Sequence, residues 1–127
     1  MSRLAAPSLR ARFQRLLQTR VWGMDIHPSA RIATTALIDR TWPRGIHIGE
    51  DCIIADHAVV LTHDMTRGVY LDTHIGARTE LGPRAIVLPG LTIGEDCVIA
   101  PGAVVTKNMA PRSYAVGNPA EISERAD

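Results

Sequence analysis

Aromatic rings are scarce in this sequence: two Trp, two Tyr and one Phe make up 4% of its 127 residues. That scarcity excludes a core built on large rings and suits a thin coil whose narrow interior holds stacked Ile, Val and Ala. Cysteine is nearly absent, with only Cys52 and Cys97. No apolar run approaches the roughly 20 residues needed to span a membrane. The N-terminus lacks the apolar centre of a signal peptide, so no stable membrane insertion is expected and the cytoplasm is the expected compartment. Acidic residues are missing from residues 1–24, which hold five arginines; the remainder carries nine bases and thirteen acids, so a segment of charge +5 precedes a body of −4. Without a basic face on that body, a nucleic-acid reader is excluded. With 46% apolar and 21% charged residues, the chain reads as one globular domain rather than a disordered one.

What the sequence has is a period. From Ile26 an aliphatic residue recurs every six positions: Ile26, Ile32, Ile38, Ile48, Ile54, Val60, Ile75, Leu81, Val87, Ile93, Ile99 and Val105. Ile, Leu and Val are roughly a quarter of the chain, so chance agreement at twelve positions is on the order of one in a million or rarer. The period is interrupted twice. Four extra residues fall between Ile38 and Ile48, and nine between Val60 and Ile75.

A six-residue period with small residues two positions before most anchors places strand pairs on the three faces of a solenoid. Face one holds Ile32, Ile54, Leu81 and Ile99; face two Ile38, Val60, Val87 and Val105; face three Ile26, Ile48, Ile75 and Ile93. Glycine follows the anchor at Gly49, Gly76, Gly82 and Gly94, where it is expected to allow the unusual backbone of a tight corner. Cys52 and Cys97 fall on small inward sites two coils apart, roughly 9–10 Å, too far for a disulfide. They read as core thiols.

Residues 1–25 form a separate N-terminal segment with a helical period. Leu9, Phe13, Leu16 and Leu17 share a face, Ser8 is a candidate N-cap and Gly23 a stop. This segment is expected to cap the open end of the solenoid. Docking of the basic helix on a membrane surface or partner, or a targeting presequence, are the alternatives. The solenoid itself is assigned to residues 26–122, and 123–127 to a tail.

The run IGARTELGPRAIVLPGLTIGEDCVIAPGAVVTKNMAPRSYAVGNPAEI resembles the end of the hexapeptide-repeat acyltransferases, including sugar O-acetyltransferases of the maltose/galactoside, nodulation and exopolysaccharide type. LPGLTIG, GAVVTK and GNPA carry the likeness, which covers about residues 26–122. The resemblance implies an all-β fold, a left-handed parallel β-helix, although ordinary parallel crossovers are right-handed. It further implies a homotrimer with active sites between subunits, and acetyl-CoA as acyl donor. No metal is expected. Serine acetyltransferases share the repeat but carry a large helical N-terminal domain not seen in this sequence.

Acyl transfer to a hydroxyl needs a base near the acceptor. The longer insertion, LTHDMTRGVYLDTH, offers His63 and Asp64, and the resemblance implies that His63 is the catalytic base of a direct ternary-complex transfer. Asp64 is taken as its partner or as an acceptor ligand; Asp56 and Asp72 are alternatives for orienting the ring. The shorter insertion, DRTWPRGIH, leaves the same face one coil earlier, so Trp42 and Arg44 are expected beside His63, with Trp42 as a flat surface for a sugar ring or buried in a trimer contact. For CoA, the resemblance points to backbone groups near Ala85 and Ala103, to Lys107, and to Asn118 and Pro119. Glu80 stands where the family commonly has an aromatic residue. Glu121 stands where it has Lys or Arg, leaving Arg112 or Arg125 for the phosphates.

The expected activity is O-acetylation of a sugar or glycoconjugate hydroxyl, as in surface polysaccharide synthesis. His57, His63 and His74 around one corner raise a rival, a zinc protein like the gamma-type carbonic anhydrases. Their spacing does not reproduce that family's pattern. A non-catalytic β-helix scaffold subunit is the second rival.

Overall fold

A computed structural model describes residues 6–126; residues 1–5 of the N-terminal segment and residue 127 of the tail lie outside the described residues. The chain winds as a left-handed parallel β-helix preceded by one short helix. Helix α1 (Leu9–Leu16) runs into a π-helical turn at Leu17–Val21. The first coil then contributes β1 (Asp25–Ile26), β2 (Arg31–Ile32) and β3 (Leu37–Ile38), and the second β4 (Ile46–Ile48), β5 (Ile53–Ile54) and β6 (Val59–Val60). A hairpin of β7 (His63–Asp64) and β8 (Val69–Tyr70) stands out from the prism. The third coil holds β9 (Thr73–Ile75), β10 (Glu80–Leu81) and β11 (Ile86–Val87), and the fourth β12 (Thr92–Ile93), β13 (Val98–Ile99) and β14 (Val104–Val105). The chain ends in β15 (Ser113–Val116) and β16 (Glu121–Glu124), which fold back antiparallel.

The three faces are sheets in the order β1-β4-β9-β12, β2-β5-β10-β13-β15-β16 and β3-β6-β11-β14, parallel throughout except for β16. Anchors pair with anchors throughout: Ile26 with Ile48, Ile54 with Leu81, Val60 with Val87. All twelve are buried, each contributing about 1.5–3 kcal/mol of apolar burial. A slip of one residue would turn a whole column outward, so the hexad sets the register. Between the anchors, Cys52, Ala58, Thr73, Thr79, Ala85, Cys97 and Ala103 fill the core with no exposed surface. Both cysteines are free; Cys52 gives its thiol hydrogen to the Gly76 carbonyl at 3.0 Å and Cys97 to that of Ala110 at 3.2 Å.

The corner glycines serve a different purpose from the expected one. The left-handed backbone falls two residues later, on Asp51 (φ 53°), Arg78 (59°) and Asp96 (56°) at one corner and on His57 (60°) and Arg84 (62°) at the next. Gly76 and Gly94 are needed for close approach: a Cβ there would lie 2.6 Å from the Gly94 carbonyl carbon and 2.5 Å from the Pro111 nitrogen. Stacked corners leave no room for a side chain.

Ser8 caps α1, its hydroxyl accepting from the Ala11 amide at 3.1 Å, and Gly23 ends the helical turn at φ 81°. The side of this segment that meets the solenoid is not its leucine face. Arg15 reaches the first coil, donating to the carbonyls of Ala30 (2.6 Å), His27 (3.3 Å) and Pro28 (3.5 Å), while Gln18 and Met24 are buried and Trp22 packs against the core. Leu9, Phe13 and Leu16 stay exposed, together with Val21 and Leu37. Among the described residues, no helix is long and apolar enough to cross a membrane.

Candidate active site at the corner of the long insertion

Asp39 follows anchor Ile38 at the corner where both insertions leave the prism. Its amide pairs with the Val60 carbonyl at 3.0 Å, which fixes the backbone and turns its carboxylate under the longer loop. There it is 3% exposed. One oxygen accepts from the Thr62 amide (2.9 Å), the His63 amide (3.2 Å) and His63 Nδ1 (2.9 Å); the other accepts from the Thr41 amide (2.8 Å). Burial alone would raise the Asp39 carboxyl, but the bonds from Thr62, His63 and Thr41 outweigh it and hold it below the usual carboxylate range. An ionised carboxylate only accepts, so Nδ1 carries the ring proton and Nε2 keeps its lone pair. The His63 side chain is 21% exposed. The ring is oriented by this contact, with Nε2 turned away from the carboxylate.

The loop base is pinned on both sides. Thr62 donates its hydroxyl to the Trp42 carbonyl at 2.9 Å and Thr73 donates to the Leu61 carbonyl at 2.6 Å. The β7–β8 hairpin pairs His63 with Tyr70, with ring centroids 6.3 Å apart. Tyr70 in turn lies 5.7 Å from Trp42. Trp42 is held against Gly45, where a Cβ would come within 2.5 Å of the indole Cδ1. An open groove of ≈ 540 Å³ runs beside His63, lined by Trp22, Leu37, Arg40 and Leu61; the Arg40 guanidinium sits 5.2 Å above the Trp22 ring.

Several expected residues stand elsewhere. Asp64 does not touch the His63 ring: it accepts from Arg67 Nε at 2.8 Å and from the amides of Thr66 and Arg67, because the next residue along a strand points the other way. The Arg67 guanidinium and these amides hold its carboxyl below the usual range. Asp56 accepts from the Thr35 hydroxyl at 3.0 Å, and Asp72 faces His47 at 3.5 Å. Arg44 is exposed and lies along Gly23, its Cγ 3.6 Å from where a Cβ would be. His57 occupies a left-handed corner, its amide on Thr35, so the His57–His63–His74 trio is not assembled. Asp39, Tyr70 and Arg40 were missed by sequence reasoning. Asp39 could have been found by asking which polar residue directly follows an anchor and lies buried at the corner of both insertions.

The C-terminal coils modify the cofactor expectation. The Ala85 amide donates to Gly82 and its carbonyl accepts from Val59; the Ala103 amide donates to Ala100 and its carbonyl accepts from Ile86. These amides close the corner turns and are spent inside the fold. Lys107 is exposed just beyond β14. Asn118 and Pro119, joined by a cis peptide, form the exposed turn between β15 and β16, which docks on β14 through bonds between Val104 and both Gly117 and Ala120. Arg125 donates to the Asp96 carbonyl at 2.8 Å. Glu80 shares an outward column with Val98 and Tyr114.

Residues 72–107 match the family described as bacterial transferase hexapeptide (six repeats), and the fold is that of the hexapeptide-repeat acetyltransferases. Serine acetyltransferase 1, chloroplastic, of Arabidopsis thaliana is 40% identical over 116 residues, covering 84% of this chain and 36% of its own length. Among solved structures, a maltose O-acetyltransferase from Clostridium difficile 630 superposes with TM-score 0.71 at 20% identity, covering 96% of this chain and 79% of that one. A serine acetyltransferase from Neisseria gonorrhoeae superposes with TM-score 0.59 at 25% identity, covering 93% and 48%. The chain spans about a third of the length of the curated serine acetyltransferases it matches.

Proposed function

We propose that this chain transfers an acetyl group from acetyl-CoA directly to a hydroxyl, with His63 as general base and Asp39 orienting it. The Asp39–His63 pair carries this reading: a buried carboxylate on Nδ1 at 2.9 Å leaves Nε2 to take the acceptor's proton. As the hydroxyl oxygen attacks the thioester carbonyl, the proton passes to Nε2. Collapse of the adduct breaks the C–S bond, and the imidazolium returns its proton to the departing thiolate. Buried Asp39 stabilises the imidazolium between these steps. No acyl-enzyme is needed, which agrees with both cysteines being buried core thiols.

The proposed acceptor is a sugar or glycoconjugate hydroxyl, because Tyr70, with Trp42 behind it, presents aromatic surface beside His63. In this reading Arg40, rather than Arg44, is the cation that shares the groove with the base. Serine is the second reading, favoured by the names of the curated relatives. Lys107 and the Asn118–Pro119 turn are the proposed CoA contacts, through exposed groups rather than the occupied amides of Ala85 and Ala103. A homotrimer with shared sites is the proposed assembly, and the exposed Leu9, Phe13, Leu16, Val21 and Leu37 supply apolar surface for a neighbouring copy to bury.

The test is CoA release from acetyl-CoA with a panel of sugars and L-serine. Turnover with a sugar and not with serine supports the leading acceptor, and the reverse supports the second. A His63→Ala variant turning over at the wild-type rate would remove His63 as base. A solution mass other than three chains would overturn the assembly.

A further inference from the structure

On the sheet formed by β1, β4, β9 and β12, the residue before each anchor points outward, and stacking aligns Asp25 with His47 and His47 with His74. Asp72 stands just before this column. His47 Nδ1 is bound by Asp25 Oδ2 at 2.9 Å. His47 Nε2 is sealed from solvent, has no hydrogen-bond partner, and lies 3.5 Å from Asp72 Oδ2. The His74 ring stacks on the His47 ring, centroids 4.3 Å apart and planes within 9°. One donor atom from each of His47, Asp72 and His74 lies within 4.8 Å of the others, the one such cluster among the described residues.

We infer that His47, His74 and Asp72 bind a divalent transition metal ion of the Zn²⁺ type, with Asp25 holding His47 in the ligating orientation. The donor set is two imidazoles and a carboxylate, a combination zinc accepts with one further position left for water. Tetrahedral bonds of about 2.0–2.2 Å set neighbouring donors roughly 3.3–3.5 Å apart. The His47–Asp72 pair already stands at that spacing. The third donor has to close in, and His74 and Asp72 are both exposed, so their side chains are free to turn. The arrangement at His47 is the one metal-bound histidines use: a carboxylate on the far nitrogen fixes the tautomer and presents the other lone pair. Without a metal, that sealed nitrogen is left with a contact too long for a good hydrogen bond.

The ligands come from neighbouring coils, so the ion would clip the second coil to the third on a face not used by His63. The inference stands independently of acyl transfer, and its test reads binding alone. Untagged protein is titrated with Zn²⁺ against a chromophoric chelator, and Co²⁺ is used as a competing probe. One equivalent per chain is expected, with Co²⁺ displaced by Zn²⁺. His47→Ala and His74→Ala should each abolish it, and Asp25→Asn should weaken it roughly 10–100-fold. His57→Ala, at a distant corner, should leave it unchanged. His74 is exposed, so its truncation leaves the core intact, and circular dichroism verifies that each variant folds. No binding at millimolar Zn²⁺, or the same stoichiometry and affinity in His47→Ala and His74→Ala, would overturn the assignment.

Discussion

Asp39→Asn isolates the charge on the carboxylate while keeping its shape. One oxygen of Asp39 serves three donors, the amides of Thr62 and His63 and the His63 ring, and the other serves the Thr41 amide alone. The asparagine amide will therefore keep its oxygen toward His63 and turn its NH₂ toward Thr41. The opposite choice would set three donors against a fourth. In the favoured orientation His63 keeps its Nδ1 proton and Nε2 stays a lone pair, so the base is correctly aimed. What is lost is the anion facing the imidazolium and the hydrogen bond from the Thr41 amide, which now meets a second donor. A hydrogen bond to a charged group contributes about 1.5–3 kcal/mol, which predicts a fall in kcat of roughly 10- to 150-fold. KM for acetyl-CoA should hardly change, since Asp39 lies beneath the loop. Asp39→Ala should be worse in stability than in aim, because it leaves the fully buried Thr62 amide unpaired, at about 1–3 kcal/mol. Steady-state CoA release at saturating acceptor, with Tm measured on the same samples, checks both. Full kcat in Asp39→Asn would refute the role of the carboxylate's charge in stabilising the imidazolium.

Other expectations follow from the same contacts. Asp39 titrates below its unfolded value of about 3.9, so its ionised form supports folding above that pH, and the contribution disappears as pH falls through the folded value; the Tm gap between wild type and Asp39→Asn should therefore shrink below pH about 4. Gly94→Ala, which drives a Cβ to 2.5 Å from the Pro111 nitrogen, should destabilise more than Gly102→Ala, which meets nothing within 4 Å but has φ 73°; about 1–3 kcal/mol or more against about 1–2 kcal/mol in urea melts is the expected order. Burial pushes the Cys52 thiol up and Cys97 is equally enclosed, so neither should react with a thiol reagent before unfolding. Trp42→Ala and Tyr70→Ala should raise the KM for a sugar acceptor by up to about tenfold, ~1.4 kcal/mol, with a smaller effect on kcat.

The prism was legible because its register depends on one column of aliphatic residues per face: Ile48 could be placed over Ile26 without seeing either. The corner of the long insertion was legible for the same reason, since counting hexads brings Trp42 and His63 to neighbouring coils. Asp39 was not. It sits 24 positions before His63, and only the folded hairpin shows that its carboxylate turns inward while Asp64 turns out to Arg67. The occupied amides of Ala85 and Ala103 were hidden likewise: the period says which side chains point in, and nothing about where the backbone of a corner spends its hydrogen bonds. The leucine face of α1 misleads as well. Its hydrogen bonds to the solenoid are made by Arg15, while Leu9 and Phe13 face outward.

The stacked coils are a short length of cross-β fibre, with parallel strands in register at about 4.8 Å. Such a stack can in principle add further copies end to end without limit. At one end Arg15 occupies the Ala30 carbonyl, the acceptor that a strand stacked on β2 would otherwise seek. At the other, β16 reverses direction across β15, so the sheet finishes on a strand of the wrong polarity for another coil. The sheet of β2 is thus closed at each end by a different device, one a side chain and the other a change of strand direction. The length of the molecule is therefore set by its stoppers, while the hexads between them could be repeated indefinitely.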